Sequence, residues 1–204
     1  NSASNNVKIT KNITSIGNVS ISAVGVTFAV GAEVVTTGAG SRILVKTEDW
    51  IDFLNGSSTT ARAKLQTNNG DIILWADSDG SGNGSIYVGS YTELNSANGS
   101  TSKTGSGGGR ITLAGSLGNA GADAAGHPLG SLSDTGNNSG GAAAFALVMQ
   151  SDSKIFSSGG DVTIRAVSDG AQEAAHFNTG SLIYAGTGKI SATVTKATNW
   201  HVVK

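Results

Sequence analysis

The chain has no cysteine, a single proline (Pro128), three tryptophans and only 5% aromatic residues among its 204 positions. Without cysteine, no disulfide scaffold and no thiolate metal site can form, although the redox compartment stays open. Charged residues are also scarce, at 13%, and they nearly cancel to a net charge of −1. No basic stripe is available for nucleic acid or anionic lipid, and no acidic tail is present. The longest apolar run, Ala142 to Met149, is eight residues, well short of the roughly 20 that a membrane-spanning helix needs. Neither a nucleic-acid partner nor membrane insertion is expected.

Glycine, by contrast, is abundant: 30 residues, about twice the ordinary share of roughly 7%. Hydrophobic residues make up 38% and are spread evenly, so a core must be assembled from many small pieces. The first residue is Asn1; the expectation is one segment, 1–204, excised from a longer exported protein with any secretion signal removed.

Self-similarity organises the chain. "GDIILWA" from Gly70, "GRITLAG" from Gly109 and "GDVTIRA" from Gly160 share a glycine, a charged residue and apolar residues at alternate positions. "GNVSISA" from Gly17, "SRILVKT" from Ser41 and "GKISATV" from Gly188 are fainter copies. Period-two alternation with β-branched residues reads as strand. The inward pairs would be Val19/Ile21, Ile43/Val45, Ile72/Leu74, Ile111/Leu113, Val162/Ile164 and Ile190/Ala192.

A second motif precedes the later copies: "EVVTTGAG", "KLQTNNG", "ELNSANG", "KIFSSGG" and "SLIYAGTG". A third strand-like piece, "VTFAV", "WIDFL", "SIYVG" or "AFALVM", lies between the two. The unit is therefore three short strands, with copies starting at Asn18, Arg42, Asp71, Arg110, Asp161 and Lys189 and spacings of 24, 29, 39, 51 and 28 residues. Three strands per unit, irregular spacing and glycine corners predict an all-β, right-handed parallel β-helix of five to six coils over residues 17–194. A propeller blade would need four strands and about 40 residues. The starting residues alternate in charge sign from Arg42 onward, as a stacked column of side chains roughly 4.8 Å apart would favour.

The units closing on "SSGGDVTIRA" and "TNNGDIILWADSDGSGNGSI" resemble the repeats of filamentous-haemagglutinin-type exoproteins and large bacterial β-helical adhesins. The resemblance implies a secreted or cell-surface location, a structural or adhesive role without catalysis, and no cofactor. Implied partners are a host surface, a neighbouring cell or a polysaccharide, with further copies of the solenoid end to end. The alternative is a β-helix that binds or cleaves extracellular polysaccharide.

Insertions at one corner grow along the chain: Val24-Gly25, "KTED", "DSDGSGNG", Gly115 to Gly140, then "SDGAQEAAHFNTG". Another runs from Asn95 to Gly109 at a different corner. Function is expected on such loops. In "DSDGSGNGS", Asp77, Asp79 and Asn83 fall at the first, third and seventh positions of a calcium loop, but Val88 stands where a bidentate Glu is needed. A looser oxygen cage for calcium competes with a turn in which these side chains bond their own backbone. Trp75, beside a corner, can offer a carbohydrate-stacking face or can pack under an insertion; His127 and His176 lie in insertions and are further ligand-contact candidates. The three histidines lack metal-ligand spacing, and the glycine clusters lack the Lys-Ser/Thr of a phosphate loop. A Thr-x-Thr ice-binding column is interrupted at Ser20, Leu44 and Ile73.

An isolated β-helix exposes the open edge of its end coil and needs caps, so the segment is expected either to continue into more protein or to stack end to end with a partner. "NSASNNVKITKNITSIG" is expected to cap one end weakly, and "TKATNWHVVK" has no amphipathic helix to cap the other.

Overall fold

The structure, a computed structural model, describes residues 5–133, 145–168 and 173–196. Short alternating segments separated by glycine cannot satisfy their backbone groups within themselves, so each pairs with its equivalent one repeat away. Coil 1 holds β1 (Val7–Ile9), β2 (Ile13–Ser15) and β3 (Val19–Ala23). Coil 2 holds β4 (Val26–Phe28), β5 (Glu33–Ala39) and β6 (Ile43–Thr47). Coil 3 holds β7 (Ile51–Phe53), β8 (Lys64–Asn68) and β9 (Ile72–Trp75). Coil 4 holds β10 (Ile86–Val88), β11 (Glu93–Asn95) and β12 (Ile111–Ala114). After an added strand β13 (Leu132–Ser133), coil 5 holds β14 (Leu147–Met149), β15 (Lys154–Phe156) and β16 (Val162–Ser168). Coil 6 holds β17 (Ala175–Phe177), β18 (Leu182–Tyr184) and β19 (Ile190–Lys196).

The first strands of the coils form sheet A, the second strands sheet B and the third strands sheet C, and every pairing between successive coils is parallel. The chain is thus a parallel β-helix of six coils, and no helix long and apolar enough to cross a membrane occurs among the described residues. The inward columns of sheet C are those read from the alternation. Ile43, Val45, Ile72, Leu74, Ile111, Leu113, Val162 and Ile164 are all fully buried. On sheet A, Phe28 stacks on Phe53 with centroids 4.6 Å apart and planes at 8°, the arrangement an in-register aromatic pair adopts inside a solenoid.

Two expectations need correction. The stretch expected as a weak cap supplies β1 and β2, so the first coil begins at Val7 and not at Gly17; three-residue strands are too short to show periodicity. Within "SDGAQEAAHFNTG", Ala175–Phe177 is β17 of sheet A, registered on β14 as Val148 against His176. Only part of that segment is therefore insertion.

The corner from sheet B to sheet C explains the glycines. A Cβ built on Gly70, Gly109, Gly160 or Gly188 would lie 1.9–2.2 Å from a carbonyl oxygen of the preceding coil. Inside the same corner a buried hydroxyl caps the chain one turn later. Thr36, Thr67, Ser96 and Ser157 donate to the carbonyls of Ser41, Gly70, Gly109 and Gly160 at 2.5–2.8 Å. These bonds satisfy carbonyls that the turn removes from the ladder.

The alternating column also works through the backbone. Asn18 Oδ1 accepts from the N–H of Arg42 (2.9 Å), Asp71 Oδ1 from Arg110 (2.7 Å) and Asp161 Oδ1 from Lys189 (2.8 Å). Each acceptor side chain supplies the missing ladder partner of the next coil. A second alternating column runs down sheet B, where Glu33, Lys64, Glu93 and Lys154 are successive register partners.

Candidate functional site

The largest elaboration is a strap, residues 115–133, that leaves β12 and folds back over the outward face of sheet C. Antiparallel bridges Gly115–Gly130, Leu117–Ser131 and Ala122–Pro128 make it a hairpin, and its β13 then runs parallel to the end of β16. Covered by it, Ile73 is fully buried and Thr112 is 3% exposed, although both occupy outward positions.

Polar contacts from four coils hold the strap. Arg42 Nη1 donates to Ala125 O (3.0 Å) and Arg165 Nη1 to Leu129 O (3.1 Å). Arg110 Nη1 pairs with Asp123 Oδ2 at 2.9 Å, and its Nη2 lies 3.8 Å from Asp71 Oδ2. Asp123 shapes the hairpin tip, its Oδ1 accepting the N–H groups of Ala125 and His127 at 2.9 Å each. Against the upward push of burial, these donors and the Arg110 guanidinium hold the Asp123 carboxyl at about 2.

His127 is the strap's buried key. Its ring lies between Thr112 Oγ1, 2.6 Å from Nδ1, and Asp71 Oδ2, 2.8 Å from Nε2. Burial pushes the Asp71 carboxyl up, but hydrogen bonds from His127 and the Arg110 N–H outweigh it and hold it below the ordinary range. An ionised Asp71 only accepts, so Nε2–H donates to it, and in the neutral ring Nδ1 accepts the Thr112 hydroxyl. Hydroxyl, imidazole and carboxylate stand in a line that resembles a nucleophilic triad, with the hydroxyl on Nδ1 and the carboxylate on Nε2. Thr112 and His127 are 3% and 4% exposed, and lifting the strap to admit a substrate would carry His127 away from Thr112 and Asp71. As it stands, the line is a latch.

Trp75 also lies under the strap. It is 9% exposed, its indole N–H donates to Ser116 Oγ at 2.9 Å, and Lys46 Nζ sits 4.3 Å from its ring centroid. Little of the ring remains for stacking on a sugar. His176 sits on β17, half exposed, with Nδ1 3.1 Å from Glu173 Oε2 and Nε2 3.2 Å from Asn178 Oδ1, and its ring is 5.0 Å from that of Phe145. Trp200 and His201 fall outside the described residues, as do residues 134–144 of the long insertion.

The "DSDGSGNGS" loop joins β9 to β10. Asp77 has φ +52° and is buried. Its Oδ1 accepts from Gly82 N–H at 2.8 Å and Ser81 Oγ at 3.4 Å, and Asp79 Oδ1 accepts from Ser81 N–H at 3.2 Å. Asn83 is exposed. Burial first, and then the Asp79 charge, raise the Asp77 carboxyl above its ordinary value, and the same two causes raise Asp49. No group of three metal-ligating side chains is arranged for an ion among the described residues. Self-bonded turn geometry accounts for Asp79 and for one oxygen of Asp77; Asp77 Oδ2 is buried without a partner.

Sequence reasoning passed over one surface. On sheet B, the Phe156 and Tyr184 rings stack at 5.6 Å, and Lys103 from the 98–109 insertion places its Nζ 4.9 Å from the Tyr184 centroid. The signal was present in "KIF" and "LIY", whose third residues share an outward register position. Comparisons with family models, curated proteins and solved structures found no match.

Proposed function

We propose that the chain is a structural and adhesive β-helical module of a bacterial extracellular or cell-surface protein, acting by surface contact and not by catalysis. One observation carries this reading. Insertions differ widely in length from coil to coil, yet the core columns stay in register through all six coils. A stiff stack that tolerates such variation at its corners suits mechanical spacing with changeable contacts.

The use of the reactive side chains supports it. His127, Asp71, Thr112, Arg42 and Arg165 are engaged in fixing the strap. The repeat resemblance to haemagglutinin-type exoproteins supports a location outside the cell, with a host surface, a neighbouring cell or a polysaccharide as partner.

The Tyr184 platform favours a second reading, polysaccharide binding, because a partly exposed aromatic ring beside a cation suits a sugar ring. The two readings separate by experiment. Binding to cell layers and to immobilised polysaccharides is measured for the chain and for Tyr184→Ala. Adhesion unchanged by the substitution supports protein-surface contact, loss of polysaccharide binding supports the platform, and release of new sugar ends would overturn the non-catalytic proposal.

A further inference from the structure

Asparagine is followed by glycine four times: Asn55-Gly56, Asn69-Gly70, Asn83-Gly84 and Asn98-Gly99. The pair is chemically fragile, because a glycine carries no Cβ to shield its amide nitrogen from the carboxamide carbon of the asparagine before it. Ring closure between the two needs a carboxamide free to turn, a free glycine N–H, and a backbone that brings that nitrogen to the side-chain Cγ.

The fold denies these to three of the pairs. Asn55 Oδ1 accepts the Ser90 N–H at 2.8 Å and the Tyr87 hydroxyl at 3.1 Å, and the Gly56 N–H donates to Ser90 O at 2.9 Å. Both reacting groups are occupied. Asn69 and Asn98 have φ +60° and +53°. In that left-handed region ψ is about +47°, which turns the following nitrogen away from the side chain, anti to Cβ. The Gly99 N–H is also engaged, donating to Asn95 Oδ1 at 3.2 Å.

Asn83 has none of these protections. It is exposed and its φ is not positive. Neither its carboxamide nor the Gly84 N–H has a hydrogen-bond partner among the described residues. Gly84 itself is fixed by packing, since a Cβ there would lie 2.2 Å from the nitrogen and Cβ of Asp77. The corner therefore imposes a glycine at the position that leaves Asn83 open to attack.

We propose that Asn83 is a site of spontaneous deamidation in the folded chain, with water as co-reactant. The Gly84 nitrogen attacks Asn83 Cγ and gives its proton to solvent; the new N–Cγ bond closes a succinimide, the Cγ–Nδ2 bond breaks, and ammonia leaves. Water then opens the ring at Cγ to give aspartate, or at the backbone carbonyl carbon to give isoaspartate. Either product adds a carboxylate to a corner where burial, and then the Asp79 charge, already raise the Asp77 and Asp49 carboxyls. Isoaspartate also lengthens the main chain between two anchors, the Asn83 N–H on the Asp77 carboxylate and Gly84 O on the Ser133 N–H at 2.8 Å. Ser133 ends β13, so this product loosens the closing strand of the strap. The corner loop thus changes charge and shape slowly and irreversibly as the molecule ages, whatever the loops bind.

Ageing the full chain at mildly alkaline pH, well below its melting temperature, tests the proposal. Peptide mapping by mass spectrometry reads deamidation at each of the four asparagines, with a parallel sample in denaturant. In the folded chain Asn83 should react at least tenfold faster than Asn55, Asn69 and Asn98, whereas in denaturant the four should react at similar rates. Asn83→Gln should suppress the acidic species that accumulates on ageing and leave the melting temperature unchanged; should that variant fail to fold, the wild-type map decides alone. The isoaspartate species, separated by charge, should exchange amide hydrogens faster at Leu132 and Ser133. Asn83 staying intact in the folded chain, or any of the other three keeping pace with it, overturns the proposal. An equal preference for Asn83 in denaturant overturns it too, because the selection would then lie in the local sequence and not in the fold.

Discussion

Asp71 and His127, 56 positions apart in sequence, meet across the strap with 2.8 Å between Oδ2 and Nε2. The contact joins the edge of a core strand to the tip of an insertion. The other Asp71 oxygen meanwhile accepts the backbone N–H of Arg110 in the next coil. One carboxylate thus holds both the coil register and the strap.

Replacing Asp71 with Ala should therefore destabilise the chain by about 2–3 kcal/mol, since a buried ring N–H and a corner N–H both lose their acceptor. Asp71→Asn keeps an acceptor and should cost less. Denaturant melts of the two variants check the order, and equal losses would contradict the shared role.

The corner glycines should divide sharply. Gly109→Ala places a methyl 2.1 Å from the Gly70 carbonyl oxygen, and relief of that clash by backbone movement should cost about 1–3 kcal/mol or more. Gly17→Ala, where nothing lies within 4 Å of the added methyl, should leave the melting temperature unchanged.

Acid should act in opposite directions on two parts of the molecule. Asp71 and Asp123 have lowered folded values, so the stability they supply is present above the unfolded carboxylate range and is lost as pH falls through the folded values, about 2 for Asp123. Asp77 and Asp49 are raised, so the folded state binds their protons more tightly and gains stability as pH falls through the raised values toward the unfolded value near 3.8. Hydrogen exchange followed from pH 7 to pH 2 should show the β9–β10 corner tightening first and the strap loosening last. Strap opening at mildly acid pH, with Asp71 and Asp123 still ionised, would contradict the assignment.

Calcium gives a further test of that corner. Self-bonding of Asp77 and Asp79 predicts a melting temperature unchanged by added calcium, and Asp77→Asn should be neutral or stabilising because Oδ1 keeps its donors while the buried charge is removed. A calcium-dependent rise that Asp77→Asn abolishes would show instead that Asp77 Oδ2 holds an ion.

Strands of sheet C were legible because Ile72/Leu74, Ile111/Leu113 and Val162/Ile164 alternate beside a glycine and a charge. β1 and β2 were not, since three residues such as "VKI" form a strand only through their partners. The charge column was visible, but its work was not: Asp161 and Lys189 look like an ion pair in sequence, while the structure directs the carboxylate to the lysine's backbone N–H. Packing of Trp75 under an insertion was one of the two readings its place beside a corner offered, whereas the burial of His127 was not apparent, because no periodicity encodes the path of residues 115–133. The Phe156–Tyr184 stack needed the register of coils 5 and 6 before two separate aromatics became one surface.

Binding to surfaces before and after replacement of residues 98–107 by a short glycine-serine turn tests the central claim most directly. The account predicts that the chain adheres to cell layers or extracellular polysaccharide, that the replacement weakens adhesion at least tenfold while the sheets stay folded, and that no substrate is consumed. Unchanged adhesion after the replacement, or turnover of the polysaccharide with new chain ends, would contradict it.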